Sequence, residues 1–159
     1  MWDEYPWNGQ GGIKVSIGTH NNFFGEVAFM KSDLPEKLSN KHVRDYEYLL
    51  GNQNIFGGIE FTKTYNDFFL APKIGYELNI LALSARVSAV NYFSFNHKHV
   101  DSRLLLEPGL TLCGFLGVYY GYSIPLSNNE NMTINRHRVT ASLNYFDMFR
   151  KKYSKKAKR

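Results

Sequence analysis

One cysteine, Cys113, stands in 159 residues, so the chain cannot close an internal disulfide, and a lone thiolate cannot furnish a structural zinc site. The fold must therefore stand on packing and hydrogen bonds, and thiol content says nothing of the compartment. Long apolar runs are just as scarce. A membrane-crossing helix needs about 20 mostly apolar residues. The one uncharged stretch of that size, Pro108 to Asn129, is interrupted by Gly109, Gly114, Gly117, Gly121 and Pro125. It reads as strand and turn, with a period of two. A secretory leader is missing too, because Met1-Trp2-Asp3-Glu4 brings no basic segment followed by an apolar core. We expect that an export signal preceded this start and has been removed.

A surplus of positive charge is present, but it is confined to one end. The formal charge is +5, and Arg150, Lys151, Lys152, Lys155, Lys156, Lys158 and Arg159 supply seven positive charges. Removing those seven leaves a body of −2. A fold with a basic nucleic-acid-binding face is therefore disfavoured, and no nucleic-acid partner is expected. Any polyanion contact falls to the tail, which reads as a solvated extension. The length suits one domain, spanning 1–149, with the basic tail at 150–159. Aromatic residues make up 16% of the chain while the mean hydropathy is only −0.37. Many rings without overall hydrophobicity fit strands that have one apolar and one polar face.

Strict alternation bears this out along the chain. Val139, Ala141, Leu143 and Tyr145 alternate with Arg138, Thr140, Ser142 and Asn144. Leu116, Val118, Tyr120, Tyr122, Ile124 and Leu126 face away from Gly117, Tyr119, Gly121 and Ser123. Similar two-faced segments run through 104–113, 81–89, 68–79, 55–62, 23–30 and 13–18, which brings the count to eight strands. An even number lets an up-and-down antiparallel sheet close on itself with both termini at one end. Tight turns are expected near Asn79 and Gly114, and more polar links at Thr19–Asn22, Tyr65–Asp67, Asn96–Ser102 and Ser127–Asn135. The long link Lys31–Asn54 breaks the symmetry. Within it, His42–Leu50 reads as a short helix or a further strand.

The fold class is therefore an all-β antiparallel up-and-down transmembrane β-barrel of about eight strands with a charged interior. Alternation alone does not separate it from a soluble lipocalin-like barrel, whose apolar face turns inward. Strands near 10 residues long and a polar face that mixes Gly75, Gly109, Gly117, Gly121, Ser84, Ser88 and Ser142 with long charged residues favour the membrane form. That face carries Lys14, Lys73, Arg86, Arg103 and Arg138 against Glu26, Glu60, Glu77 and Glu107. Buried charges persist only when paired, so an interior network centred on Arg86, Arg138, Glu77 and Glu107 is expected.

The strings Ala71-Pro72-Lys73-Ile74-Gly75-Tyr76-Glu77, Leu106-Glu107-Pro108-Gly109-Leu110, Tyr119-Tyr120-Gly121-Tyr122 and His137-Arg138-Val139 resemble those of small outer-membrane barrel proteins of the Bacteroidetes. The likeness spans roughly Ile55 to Tyr145 and includes both strand prolines. It implies an outer-membrane barrel and brings no catalytic residue with it. The chain departs from the usual outer-membrane ending, since Tyr145, Phe146 and Phe149 are followed by the basic tail.

Three further chemistries find little support in the sequence. His97, His99 and Asp101 alternate in a way that suits a metal, but no fourth ligand is evident, so a solvated loop is the reading and no cofactor is expected. A lipid hydrolase of the barrel rim would group His99, Ser102 and Glu107, or His137 and Ser142, yet each set has mixed strand parity. An open pore is not expected from eight strands filled with long side chains. There remains a non-enzymatic outer-membrane component that braces or docks to a larger envelope assembly. Its partners would be the lipid bilayer, lipopolysaccharide, and other envelope proteins met through loops or tail. The alternatives are a lipocalin-like carrier of a hydrophobic ligand and, further off, the lipid hydrolase.

Overall fold

The computed structural model describes residues 10–33, 52–64, 67–95, 100–112, 115–126 and 134–146. Within them the alternating segments form β1 (Gln10–Thr19), β2 (Phe23–Asp33), β3 (Asn52–Lys63), β4 (Phe68–Ile80), β5 (Leu83–Ser94), β6 (Val100–Leu112), β7 (Leu116–Pro125) and β8 (His137–Phe146). Each strand pairs antiparallel with the next, and β8 pairs with β1 to close the barrel. Both ends of the sheet, Gln10 and Phe146, lie with the tight turns; this is called the terminal end below, and the opposite one the loop end.

The turns follow from local chemistry. Only Leu81 and Ala82 connect the paired residues Ile80 and Leu83, and Leu81 is held at φ 54°. A glycine would hold that left-handed backbone at less cost. Asn21, at φ 81° between β1 and β2, is a residue type that tolerates it. The two strand prolines each cost the sheet one donor on one edge only. Pairing of β4 with β5 skips Ala71 and Pro72, and pairing of β6 with β7 skips Glu107 and Pro108, while their other edges run through.

Two expectations need adjusting. β6 begins at Val100, and Asp101 and Ser102, read as part of a loop, pair with Tyr92 and Asn91. The inward phase of Arg103, Leu105 and Glu107 simply continues back to Asp101. The link after β2 hides no barrel strand between β2 and β3, because those two pair directly from Phe24↔Thr62 to Asp33↔Gln53. His42–Leu50 and the 150–159 tail lie outside the described residues.

Register sets the dimensions of the barrel. Gly12 opposes Phe146 across the β1–β8 seam. Stepping the other way round through Met30, Phe56, Gly75, Ser88, Leu105 and Ser123 arrives opposite Arg136, whose carbonyl accepts from Ser123 N. Position 146 against 136 is a stagger of ten residues. With about 3.3 Å per residue and about 4.8 Å between strands, ten residues over eight strands tilt the strands by about 40° and give a backbone radius of about 8 Å. Such a barrel is filled by its own side chains.

Burial alternates along every strand, and the faces are inverted relative to a water-soluble core. Inside lie mostly polar and charged residues, with small apolar groupings of Ala28, Met30 and Phe56, and of Phe69, Ala71, Val90, Tyr92 and Ile134. Outside stand Ile17, Phe29, Ile74, Leu83, Leu110, Val118, Leu143 and many others like them.

Adjacent glycines on opposite faces test this arrangement. Gly57 points outward with open space where a side chain would go, whereas a side chain on Gly58 would collide with the Val27 carbonyl and with Ala28. Gly58→Val should therefore cost about 1–3 kcal/mol and Gly57→Val almost nothing, as read from denaturant unfolding midpoints of the refolded barrel.

Candidate functional site: the charged barrel interior

Every charged residue picked out by alternation occupies an inward position: Lys14 on β1, Glu26 on β2, Glu60 on β3, Lys73 and Glu77 on β4, Arg86 on β5, Arg103 and Glu107 on β6, and Arg138 on β8, all buried. Asp101 joins them. The expected balance of five cations against four acids is thus corrected to five against five among the described residues.

Glu77 is the hub nearer the terminal end. Its carboxylate accepts from Lys14 Nζ at 2.9 Å, Arg86 Nε at 2.6 Å and the Asn79 amide at 3.0 Å, with Asn54 and Asn144 at 3.3 and 3.4 Å. Arg86 also donates to Ser142 Oγ at 2.6 Å. Toward the middle, Lys73 lies 2.8 Å from Glu26 and 3.6 Å from Glu107. Arg138 then links two acids: its Nε is 3.4 Å from Glu107 and its Nη1 2.9 Å from Glu60. Thr140 donates to Glu107 and Tyr92 to Glu60, both at 2.9 Å. Closest to the loop end, Arg103 pairs with Asp101 and reaches the Ile134 carbonyl at 2.9 Å.

Aromatic faces complete the charges' surroundings. The Arg86 guanidinium carbon lies 3.3 Å from the Tyr119 ring centre, Lys14 Nζ 3.9 Å from that of Phe56, and Arg138 3.9 Å from that of Phe24. Desolvated cations gain most from such contacts. Glycine makes room for the long side chains: a Cβ on Gly121 would sit 2.5 Å from Arg138 Cγ, and one on Gly75 2.5 Å from the Phe56 ring.

At the loop end, just past β1, His20 stacks on Phe24 with ring centres 5.4 Å apart and meets Tyr92 edge-on. Its Nε2 is 3.3 Å from Thr62 Oγ1 and 3.9 Å from Glu60. Burial pushes this imidazole below its ordinary pKa, although Glu60 opposes the shift. Beside it, a notch of about 320 Å³ is lined by Thr19, His20, Asn21, Tyr120, His137, Arg138 and Val139. Tyr120 Oη and His137 Nδ1 are 2.5 Å apart on its outer side. Asn21 accepts from the Asn135 amide at 3.1 Å.

Parity separates the rim-hydrolase candidates. His137 is exposed on the outer wall while Ser142 is buried inside, and Ser102 and Glu107 differ in the same way. Among the described residues no group of three or more His, Cys, Asp or Glu is placed to hold a metal ion. His97 and His99 lie outside the described residues. The alternation did not flag Asp101, His20 or the inward Tyr92. In-phase spacing with Arg103 and Arg86 would have found Asp101 and Tyr92; nothing local marks His20. Comparison with family models, curated proteins and solved structures yields no match.

The hub gives a direct test. Glu77→Gln keeps the volume but leaves Lys14 and Arg86 without their acid, and should destabilise the barrel by about 3–5 kcal/mol. Adding Lys14→Met to that chain should recover part of the loss, because one orphaned cation is then gone. Unfolding midpoints of the two single variants and the double variant read this coupling.

Proposed function

We propose that the chain is an integral outer-membrane β-barrel and serves as a non-enzymatic structural or docking component of the bacterial envelope. The observation that carries this is the outer wall. Among the residues whose burial is described, its outward positions hold Leu, Ile, Val, Phe, Tyr, Ala, Gly and Pro, and the polar ones, Thr19, Lys31, Gln53, Lys63, Asn91, Ser102 and His137, all fall within three residues of a strand end. Charge on the lipid face is tolerated near the interfaces and costly at mid-depth.

The dimensions support the same reading. At about 40° of tilt each residue climbs about 2.5 Å, so strands of 10–13 residues cover roughly 25–32 Å, against a hydrocarbon thickness of about 30 Å. Aromatic residues gather toward the loop end, where Phe68 lies 6.5 Å from Phe61 and 5.6 Å from Phe95, and Tyr122 flanks His137. This is the distribution of an interfacial belt. A carrier of hydrophobic ligands would turn Leu116 and Val118 inward; both face out, at 50% and 55% exposure. The filled, charged interior supports a wall or anchor over a conduit. Bilayer lipid and lipopolysaccharide would contact the wall. Envelope proteins would be met through the loops or the basic run Arg150–Arg159, and the likeness to Bacteroidetes barrels agrees with this placement.

On this reading the protein is recovered from membranes only with detergent, resists an alkaline wash, and migrates differently on a gel before and after boiling. Recovery as a dispersed monomer in buffer without detergent would overturn it.

A further inference from the structure

Among the described residues only two outside the strands are buried, His20 in the turn between β1 and β2 and Ile134 just before β8. Both lie at the loop end. We propose that His20 is an acid-sensitive latch: on protonation its ring leaves the barrel mouth, releases Ile134 and Asn135, and opens that end of the charged interior to water. The inference rests on the closed barrel and its ion pairs, whether lipid or water surrounds the wall.

Hydrogen bonds and packing tie the two buried residues together. Asn135 donates from its backbone N–H to the His20 carbonyl at 3.4 Å and from its side-chain amide to Asn21 Oδ1 at 3.1 Å. The Ile134 carbonyl accepts from Arg103 at 2.9 Å, while its side chain packs with Phe69, Ala71, Val90 and Tyr92. His20 meets the same cluster through Tyr92, edge-on with ring centres 6.3 Å apart, and stacks on Phe24. Removing the imidazole therefore takes away one side of the packing around Tyr92 and the anchor of Asn135. No ladder pair has to break for this, because β1 pairs with β2 only as far as Thr19↔Phe23 and with β8 only as far as Thr19↔Val139. A rotation inside the turn frees the ring.

The surrounding charges give protonation its effect. Glu60 on β3 stands 3.9 Å from Nε2, yet its two oxygens already accept from Tyr92 on β5 and Arg138 on β8, both at 2.9 Å. Thr62 on β3, 3.3 Å from Nε2, is neutral, and β2 offers only the Phe24 ring. From β6 Arg103 brings a further cation, itself paired with Asp101. An imidazolium donates from both nitrogens, and Nδ1 has no acceptor among the described residues. A buried charge left in this state is costly. Burial lowers the pKa of the ring, Glu60 opposes the shift, and Arg138 and Arg103 add to it. The closed mouth thus holds the neutral ring. Its contribution is fully present above the ordinary value of 6.5 and is lost as pH falls through the lowered one.

The test takes the full chain, refolded in detergent micelles, from about pH 8 to about pH 4, with histidine rings and isoleucine methyls observed by NMR beside a water-soluble gadolinium chelate. Broadening of the Ile134 methyl by the chelate should rise severalfold as the His20 ring titrates, with one midpoint for both, below 6.5. His20→Gln and His20→Phe cannot take up the proton. In both, the Ile134 methyl should stay protected across the same range, while boiled and unboiled gel positions show that each variant folds. An equal acid opening in either folded variant assigns the event to carboxylates and overturns the latch. A His20 ring that titrates while Ile134 stays protected overturns it too, because the imidazolium then remains inside beside Glu60. So does the absence of any change down to the acid limit. If the protein proves a soluble monomer, the membrane reading falls, and the same titration in plain buffer still decides the latch.

Discussion

Ten side chains of charged type, five cationic and five acidic, share the interior of a barrel about 8 Å in backbone radius, and the rest of the molecule is arranged around their mutual neutralisation. Eight strands staggered by ten residues enclose an interior too narrow for each charge to keep its own hydration shell. Moving a lone ion into such a place costs several kcal/mol even after relaxation. The cost is offset only if each cation finds an acid and each leftover lone pair finds a donor. Five cations and five acids meet the first condition, each in at least one ion pair, and Glu77, with five donors around it, shows how far one carboxylate is used, although Glu26 Oε1 and Glu107 Oε2 make no hydrogen bond. The small residues follow from the same demand. Gly121 gives Arg138 its path, and Gly75 gives the Phe56 ring its place beside Lys14.

Filling the inside with charge leaves the apolar residues nowhere to go but outward. In water this wall would expose far more contiguous apolar surface than monomeric soluble proteins present. The hydrophobic contribution that normally holds a domain together would then be missing from its centre. Closure supplies part of the compensation, because a barrel has no unpaired edge and every strand is held on both sides. The rest depends on the solvent outside. Hence the placement of the few outward polar residues near the strand ends carries more functional information than any single residue inside.

Most of this architecture was legible from period-two alternation, because inward and outward residues differ so sharply in type. The eight strands and the direction of each charged residue follow from parity alone. Asp101 escaped because it sits next to a polar run, His97-Lys98-His99, that reads as loop; its phase with Arg103 was the stronger signal. Tyr92 and Tyr119 face inward while Tyr76, Tyr120, Tyr122 and Tyr145 face outward, and composition treats all six alike. What alternation cannot give is partner choice. Lys14 meets Glu77 and Arg138 meets Glu60 across 63 and 78 residues of chain, through a register that accumulates strand by strand around the barrel. Pairing is therefore a property of closure, not of any local segment.

The same network also orders Arg138, which lies near the loop end. Arg138 Nε and Nη1 are directed to Glu107 and Glu60, and its guanidinium lies over the Phe24 ring. A long side chain held by two acids and an aromatic face has little rotamer freedom left to lose. Phe24 does the same for His20 by stacking, with Thr62 holding the other ring nitrogen. Charges that neutralise one another inside thus also limit the rotamer freedom of the side chains nearest the loop end, and that end of the barrel is ordered from within.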